Sequence, residues 1–298
     1  MTRHLLNVAD LSADELTTVL ELAQRDGLPQ VLQGQGVALI FEKPSNRTRQ
    51  SMEMAVAKLG GHPVYTRREE IEFDVRESVE DITRVMAGYH AILAARTFSH
   101  DTVQRMAAVS AVPVVNLLSD YSHPLQAIAD VLTMKQVHGS LSGQKVAYVG
   151  DYNNVSRSLA EACVLSGAQV ALGCPPGYDA AAAELARLNG LGAGSVMQFS
   201  DAAMAVAGSV AVHTDSWTPM GQEAEQQQRS LALKDFTVDA ALMAMAGPGA
   251  GFYHCLPAHR GEEVTAEVID GPTSHVFAQA HNRLNAACGA LAFLKGVR

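Results

Sequence analysis

The stretch Phe41-Glu-Lys-Pro-Ser-Asn-Arg-Thr-Arg49 decides the fold, because it joins a predicted buried strand to a predicted helix. Upstream, residues 36–41 form a short apolar run that begins at a glycine, which is the pattern of a buried strand. Downstream, residues 50–59 carry apolar side chains at helical spacing, and Gly60-Gly61 ends the pattern. A strand that leads directly into a helix predicts an α/β sheet.

The start of this predicted helix suggests an anion site. Ser45 is the predicted N-cap, and Asn46, Arg47 and Thr48 fill the first turn. Unsatisfied backbone N–H groups and the helix dipole attract anions at such a start, whereas the arginines there are unfavourable for the helix alone. Two interpretations remain open from these residues: a bound phosphate, or a capped surface helix with solvated arginines.

Composition limits the class of protein. The 298 residues suffice for two domains of ordinary size, and an apolar content of 48% with 18% charged residues indicates a packed protein. A formal charge of −9 argues against a nucleic-acid partner, although local arginines could still bind a small anion. The four cysteines are scattered without metal spacing, and no apolar run reaches membrane-spanning length. We therefore expect a cytoplasmic protein with reduced thiols and no membrane partner.

Strand and helix patterns alternate along the first part of the chain. Ser45, Arg96 and His123 each follow or end a predicted strand. Ligands of parallel sheets bind at the carboxyl ends of the strands, so three converging polar residues predict a site. The charged segment 67–76 is predicted to be a solvated loop.

A second alternating series follows residues 138–143, which are the predicted domain boundary. The fold class is thus α/β, with two doubly wound parallel-sheet domains linked by helices. The turn at Gly150 lacks the Gly-x-Gly-x-x-Gly pattern, so we expect no nicotinamide or flavin cofactor. A closing helix is predicted from Asn282 to Lys295.

Two motifs lie in the first half of the chain, Ser45-x-Arg47-Thr48-Arg49 and His123-Pro124-x-Gln126, with Arg96 between them. They resemble, in that order, the carbamoyl-phosphate loop and the second signature of the ornithine and aspartate carbamoyltransferase family. His254-Cys255-Leu256-Pro257-Ala258 resembles the signature of the ornithine branch. The other matches to that branch are Gly150-Asp151 with Asn153-Asn154, Thr214-Asp215-x-Trp217-x-x-Met220-Gly221, and Asn282-Arg283.

The resemblance implies transfer of a carbamoyl group from carbamoyl phosphate to the δ-amine of L-ornithine, without metal or organic cofactor. It implies a carbamoyl-phosphate domain of residues 1–137, onto which a C-terminal helix of residues 282–298 packs back, and an ornithine domain of residues 138–281. It makes four residues catalytic: Arg96, His123, Asp215 and Cys255. The implied carbamoyl-phosphate ligands are Ser45, Asn46, Arg47, Thr48, Arg49, Arg96, His123, Gln126, Cys255, Leu256 and Arg283.

On the ornithine side, the resemblance implies contacts from Asn154, Asp215, Pro219 and Met220. Pro219 departs from the serine that the family usually has, which removes one hydroxyl and is expected to weaken ornithine binding. Glu72 aligns loosely with a family glutamine in the charged segment.

Two alternatives to ornithine transfer remain open. One is a carbamoyltransferase for another amine (putrescine, lysine or an acylated ornithine), and the other is a catalytically silent relative that binds carbamoyl phosphate. The resemblance further implies a homotrimer with shared sites, in which the charged segment reaches the neighbouring site.

Overall fold

The computed structural model describes residues 2–218 and 223–298. These residues form two compact units, residues 1–129 with 282–298 and residues 130–281, hereafter the first and second unit. The described strands are β1 Gly36–Phe41, β2 His62–Arg67, β3 His90–Arg96, β4 Val114–Leu118, β5 Lys145–Val149, β6 Gln169–Gly173, β7 Ser195–Phe199, β8 Ala211–Thr214 and β9 Gly251–His254.

Helices connect most of these strands. They are α1 Ala13–Gln24, α2 Asn46–Lys58, α3 Arg68–Ile71, α4 Val79–Ala87, α5 His100–Val109, α6 Pro124–His138, α7 Asn154–Leu165, α8 Ala182–Asn189, α9 Ala202–Val206, α10 Gln226–Leu233, α11 Ala240–Met243, α12 Ala266–Ile269 and α13 Val276–Leu294. Short 3₁₀ turns cover Val8–Asp10, Glu223–Glu225 and Lys234–Phe236. The division between the units falls within α6 and α13.

Each unit contains one parallel sheet, as the sequence predicts. The strand order is β2-β1-β3-β4 in the first unit and β7-β6-β5-β8-β9 in the second. In β1 every residue after Gly36 is buried, because strands covered on both faces carry continuous apolar runs. The prediction of two parallel α/β domains is confirmed.

The C-terminal helix α13 packs against α1 within the first unit. A Cβ atom on Gly289 would lie 2.5 Å from the carbonyl oxygen of Val19, so the two helix backbones are in direct contact there. The first helix begins with a capping box that Ser12 and Glu15 form. The prediction that the closing helix begins at Asn282 is wrong: α13 starts six residues earlier, at Val276.

The charged segment is only partly a loop. It includes the single helical turn α3, which buries Ile71, and its remaining residues are mostly exposed. Arg105 holds Asp74 through two hydrogen bonds of 2.6 and 2.9 Å. No described helix is both long enough and apolar enough to cross a membrane.

Candidate functional site

The first group of predicted residues lies where the strand order of the first sheet reverses. β1 and β3 are neighbours there, and Phe41 pairs with Arg96 at their carboxyl ends. Chain direction then carries Ser45 beyond β1, while Arg96 is the last residue of β3. Such a reversal leaves a crevice at the sheet edge in which open α/β sheets bind ligands.

Ser45 is the N-cap residue of α2, but its side chain does not cap the helix within the described part of the chain. Its Oγ instead donates a 3.1 Å hydrogen bond to Thr48 Oγ1. Asn46 and Arg47 are exposed in the first turn, and this turn carries no acidic residue. The first amide groups of α2 therefore remain open to an anion.

Arg283, on α13, joins three of the predicted residues. Its Nη2 donates to Thr48 Oγ1 at 3.3 Å, and its Nη1 donates to Gln126 Oε1 and lies 3.3 Å from His123 Nε2. All four side chains, with Arg96, are at most 5% exposed. The structure thus brings Thr48, Arg96, His123, Gln126 and Arg283 into the same buried region of the first unit.

Burial and the positive charges in this region keep His123 neutral. Burial first, and then the positive charges of Arg283, Arg96 and Lys43, hold the pKa of His123 well below its ordinary value. Because a guanidinium can only donate, His123 Nε2 accepts from Arg283, which places the proton of the neutral ring on Nδ1. Burial and Arg96 also lower the pKa of Lys43, although Asp120 and Glu42 oppose them.

The imidazole of His123 is therefore expected not to titrate between about pH 5 and 8, the range over which an unperturbed histidine changes charge. As the pH falls through 6.5, the unfolded chain takes up a proton here that the folded chain does not. The free energy of unfolding then decreases by at most about 1.4 kcal/mol per pH unit from this group. Nitrogen–proton NMR of the ring checks this, with the urea-unfolded chain as control. A folded-state midpoint near 6.5 would contradict it.

Arg49 lies apart from these residues. Its Nε donates to Glu53 Oε1 at 2.7 Å, and its guanidinium stacks on Tyr65, 3.8 Å from the ring centroid. The structure does not bring Arg49 to His123. Arg47 is exposed and has no described contact with His123. Lys43 is the residue that sequence reasoning missed, and its place directly before Pro44-Ser45 was the available signal.

A second group lies at the corresponding point of the second sheet. The strand order reverses between β5 and β8, with Asp151 beyond β5 and Asp215 directly after β8. Cys255 directly follows β9, and its Sγ donates to Asp215 Oδ1 at 3.0 Å. Asn153 Nδ2 donates to the other oxygen, Oδ2, at 3.2 Å. Asp215 is thus held from two sides.

Arg229 and Asp151 form a buried ion pair beside this group. Burial raises the pKa of Asp151 to about 6; Arg229 acts against this rise and Asp215 adds to it. Arg229 Nε also donates to the carbonyl oxygen of Trp217, so one side chain holds both Asp151 and the chain after β8. Sequence reasoning assigned no role to Arg229, because a single arginine in a glutamine-rich helix resembles a solvated one.

The remaining predicted residues are less fully described. Asn154 is the first residue of α7, whereas its neighbour Asn153 caps that helix through Val155 N and Ser156 N. Leu256 has a φ of 59°, and its N–H donates to His254 Nδ1 at 2.8 Å. Pro219 and Met220 lie outside the described residues.

Comparisons with known proteins agree on one family for both halves. Residues 3–136 match the profile described as aspartate/ornithine carbamoyltransferase, carbamoyl-P binding domain, and residues 142–294 match the Asp/Orn binding domain profile. An ornithine carbamoyltransferase from Parafrankia is 43% identical, covering 98% of this chain and 96% of its own length. An anabolic one from Pyrococcus furiosus is 42% identical, with 99% and 96% covered. The solved structure of an ornithine carbamoyltransferase from Pyrococcus furiosus matches with a TM-score of 0.94 at 41% identity, over 99% of this chain and 98% of that one.

Proposed function

Because the chain belongs to the aspartate/ornithine carbamoyltransferase family, we propose that it transfers the carbamoyl group of carbamoyl phosphate to the δ-amine of L-ornithine, giving L-citrulline and phosphate. One structural observation carries this proposal more than any other. Thr48, His123 and Gln126 share the guanidinium of Arg283 in a buried, positively charged region. Such a region suits a small, doubly charged acyl phosphate such as carbamoyl phosphate.

Carbamoyl phosphate would be held mainly by the first unit. The open amides of α2, with Ser45, Asn46 and Arg47, would bind the phosphate, and Arg96 and Arg283 would add charge-assisted hydrogen bonds. Arg49 belongs to the proposed ligand set only through the family motif.

The carbonyl oxygen of the carbamoyl group gains negative charge as the amine attacks. Thr48, Arg96 and neutral His123 would stabilise that charge by donating hydrogen bonds, and Gln126 would orient the carbamoyl amide. Donors fixed in this way are worth about 3–4 kcal/mol each. The new carbon–nitrogen bond forms as the carbon–oxygen bond to phosphate breaks, and phosphate leaves with that oxygen.

The amine would be prepared by the second unit. A δ-ammonium with a pKa of about 10.4 must lose a proton before its nitrogen can attack. Asp215 would pair with the α-ammonium of ornithine, and Cys255, 3.0 Å away, would orient the δ-amine and accept that proton once its own thiol proton has been lost. Asn154, Pro219 and Met220 are proposed to hold the amino-acid end, and Leu256 and Cys255 to border the carbamoyl group, on the family motif alone.

A panel of amines offered with carbamoyl phosphate tests this function. We expect the highest kcat/KM for ornithine, and much lower values for putrescine, lysine, N-acetylornithine and aspartate. If another amine gives a higher kcat/KM than ornithine, that amine is the substrate, and the reaction is still a carbamoyl transfer. No turnover with any of them, together with tight carbamoyl-phosphate binding, would instead favour the silent relative.

We also propose a homotrimer with shared sites, a cytoplasmic location and a biosynthetic direction. Family resemblance supports the trimer, and the relative named anabolic supports arginine biosynthesis. The cysteines support a reducing compartment, since the described residues contain no disulfide. Light scattering should give about 95 kDa, three times the 31.6 kDa of one chain. A mass near that of one chain would contradict the trimer.

A further inference from the structure

The chain after β9 gathers a histidine and two glutamates outside the residues assigned above. His259, Glu262 and Glu263 each place a potential ligand atom within 4.8 Å of the others. Local bonds build this arrangement: Glu262 N donates to the His259 carbonyl at 3.0 Å, and His259 N donates to Glu263 Oε1 at 2.6 Å. The cluster is therefore part of a formed turn.

Glu263 is fully buried, yet only one of its carboxylate oxygens is satisfied. Oε1 accepts from His259 N and from His254 Nε2, the latter at 3.2 Å. Among the described residues, Oε2 has no hydrogen-bond partner. A buried carboxylate oxygen without a donor is costly, so a cation at this atom would stabilise it.

The distance between His259 and this oxygen matches metal ligation. His259 Nδ1 lies 3.6 Å from Glu263 Oε2. Two ligands of one tetrahedral zinc ion, each about 2.0–2.2 Å from the metal, are roughly 3.3–3.6 Å apart. An ion between them would bind Nδ1 in its unprotonated form, in place of the present contact of Nδ1 with Ser216 Oγ at 3.1 Å.

We propose that His259, Glu262 and Glu263 bind a divalent first-row transition ion of the Zn²⁺ type. One imidazole with two carboxylates suits such an ion, whereas Mg²⁺ and Ca²⁺ favour oxygen ligands throughout. The side chain of His259 is 50% exposed, which gives the ion an entry path and a place for water ligands. Neither the carbamoyl transfer nor its proposed residues require this ion.

His254 supports the cluster from behind. Its Nδ1 accepts from Leu256 N, so its proton lies on Nε2 and is donated to Glu263 Oε1. Ligating carboxylates are usually oriented by such an outer hydrogen bond. Asp215, His254 and Cys255 form a second compact group of potential ligands. Both ring nitrogens of His254 are already used in the bonds above, so His254 has no lone pair left for a metal in that group.

The test measures Zn²⁺ and Co²⁺ binding by the full-length chain carrying Cys255→Ser. This substitution removes the sulfur ligand from the group of Asp215, His254 and Cys255. Equilibrium dialysis is expected to give one Zn²⁺ per chain, and His259→Ala or Glu262→Gln should each weaken binding at least tenfold. Glu262 is only half-buried, so we expect Glu262→Gln to fold, and the test can still be read if His259→Ala does not fold. His281→Ala, which removes an exposed histidine elsewhere in the second unit, is the control and should bind Zn²⁺ unchanged.

Co²⁺ then identifies the ligands by absorption. We expect visible bands of a nitrogen–oxygen site in both the wild-type and the Cys255→Ser chain, without the intense near-ultraviolet band that a thiolate produces. A thiolate band in the wild type with loss of binding in Cys255→Ser would place the ion at Cys255. That result, or unchanged affinity in both His259→Ala and Glu262→Gln, would overturn the proposal.

Discussion

Arg283→Ala is expected to lower kcat/KM for carbamoyl phosphate by about two to three powers of ten. The variant removes the guanidinium that Thr48, Gln126 and His123 share, and with it a charge that would face the phosphate in the proposed complex. Loss of one fixed, charged donor costs about 3–4 kcal/mol in the transition state, and 1.4 kcal/mol corresponds to a factor of ten. Steady-state kinetics with carbamoyl phosphate as the varied substrate measures the effect.

Two further variants show whether the shared hydrogen bonds carry this effect. Arg283→Lys keeps the charge but loses the planar fork, so its kcat/KM should fall between wild type and alanine. Arg49→Ala tests the arginine that only the family motif assigns to carbamoyl phosphate; because its side chain pairs with Glu53 and Tyr65, the loss in kcat/KM should be smaller than in Arg283→Ala. An equally large loss in Arg49→Ala at unchanged thermal stability would show that this description of the region is incorrect.

Asp215→Asn is expected to reduce kcat at least about a hundredfold while carbamoyl-phosphate affinity stays unchanged. The amide cannot carry the negative charge that would face the ammonium group of ornithine. Its NH₂ group only donates, so the variant also loses one of the two carboxylate oxygens that accept from Cys255 Sγ and Asn153 Nδ2. The effect should appear in both kcat and kcat/KM for ornithine, as for an interaction made in the transition state.

A control for this variant lies in the same unit. Asp239 caps α11 by accepting from Leu242 N at 2.8 Å, and asparagine caps a helix about equally well. Asp239→Asn should therefore keep the wild-type kcat. Calorimetry with carbamoyl phosphate separates the two units' contributions: weakened binding in Asp215→Asn would contradict the proposed division of roles.

The sheets were predictable wherever strands are buried on both faces. Strands such as β1 and β5 form continuous apolar runs, which predict buried parallel strands from composition alone. The edge strand β7 has no such run, because only Val196 among its residues is buried. The start of α13 was predicted six residues too late, because no common capping residue stands directly before Val276 to mark the true start.

The site was predictable by residue type but not by orientation. Motif spacing selected His123, Gln126 and Arg283, which the fold gathers across 160 residues between His123 and Arg283. The Ser45-x-Arg47-Thr48-Arg49 motif likewise selected Arg49, but the structure shows its side chain bonded to Glu53. Arg229 binds Asp151, which lies 78 residues away in sequence, and no local pattern indicates such a pair.

The hydrogen bond of Ser45 to Thr48 links the stability of the first turn of α2 to the binding of the proposed substrate. An ordinary serine cap would stabilise α2 by about 1 kcal/mol at all times, but it would occupy an amide that faces the proposed anion. Here the hydroxyl bonds to Thr48 instead, so the substrate would complete the helix end. Amide hydrogen exchange in the first turn of α2 should then slow when carbamoyl phosphate binds, and recover when phosphate is washed out. The first turn of α2 would thus be least stable when no substrate is bound. Each turnover would order the same few amide groups and then release them.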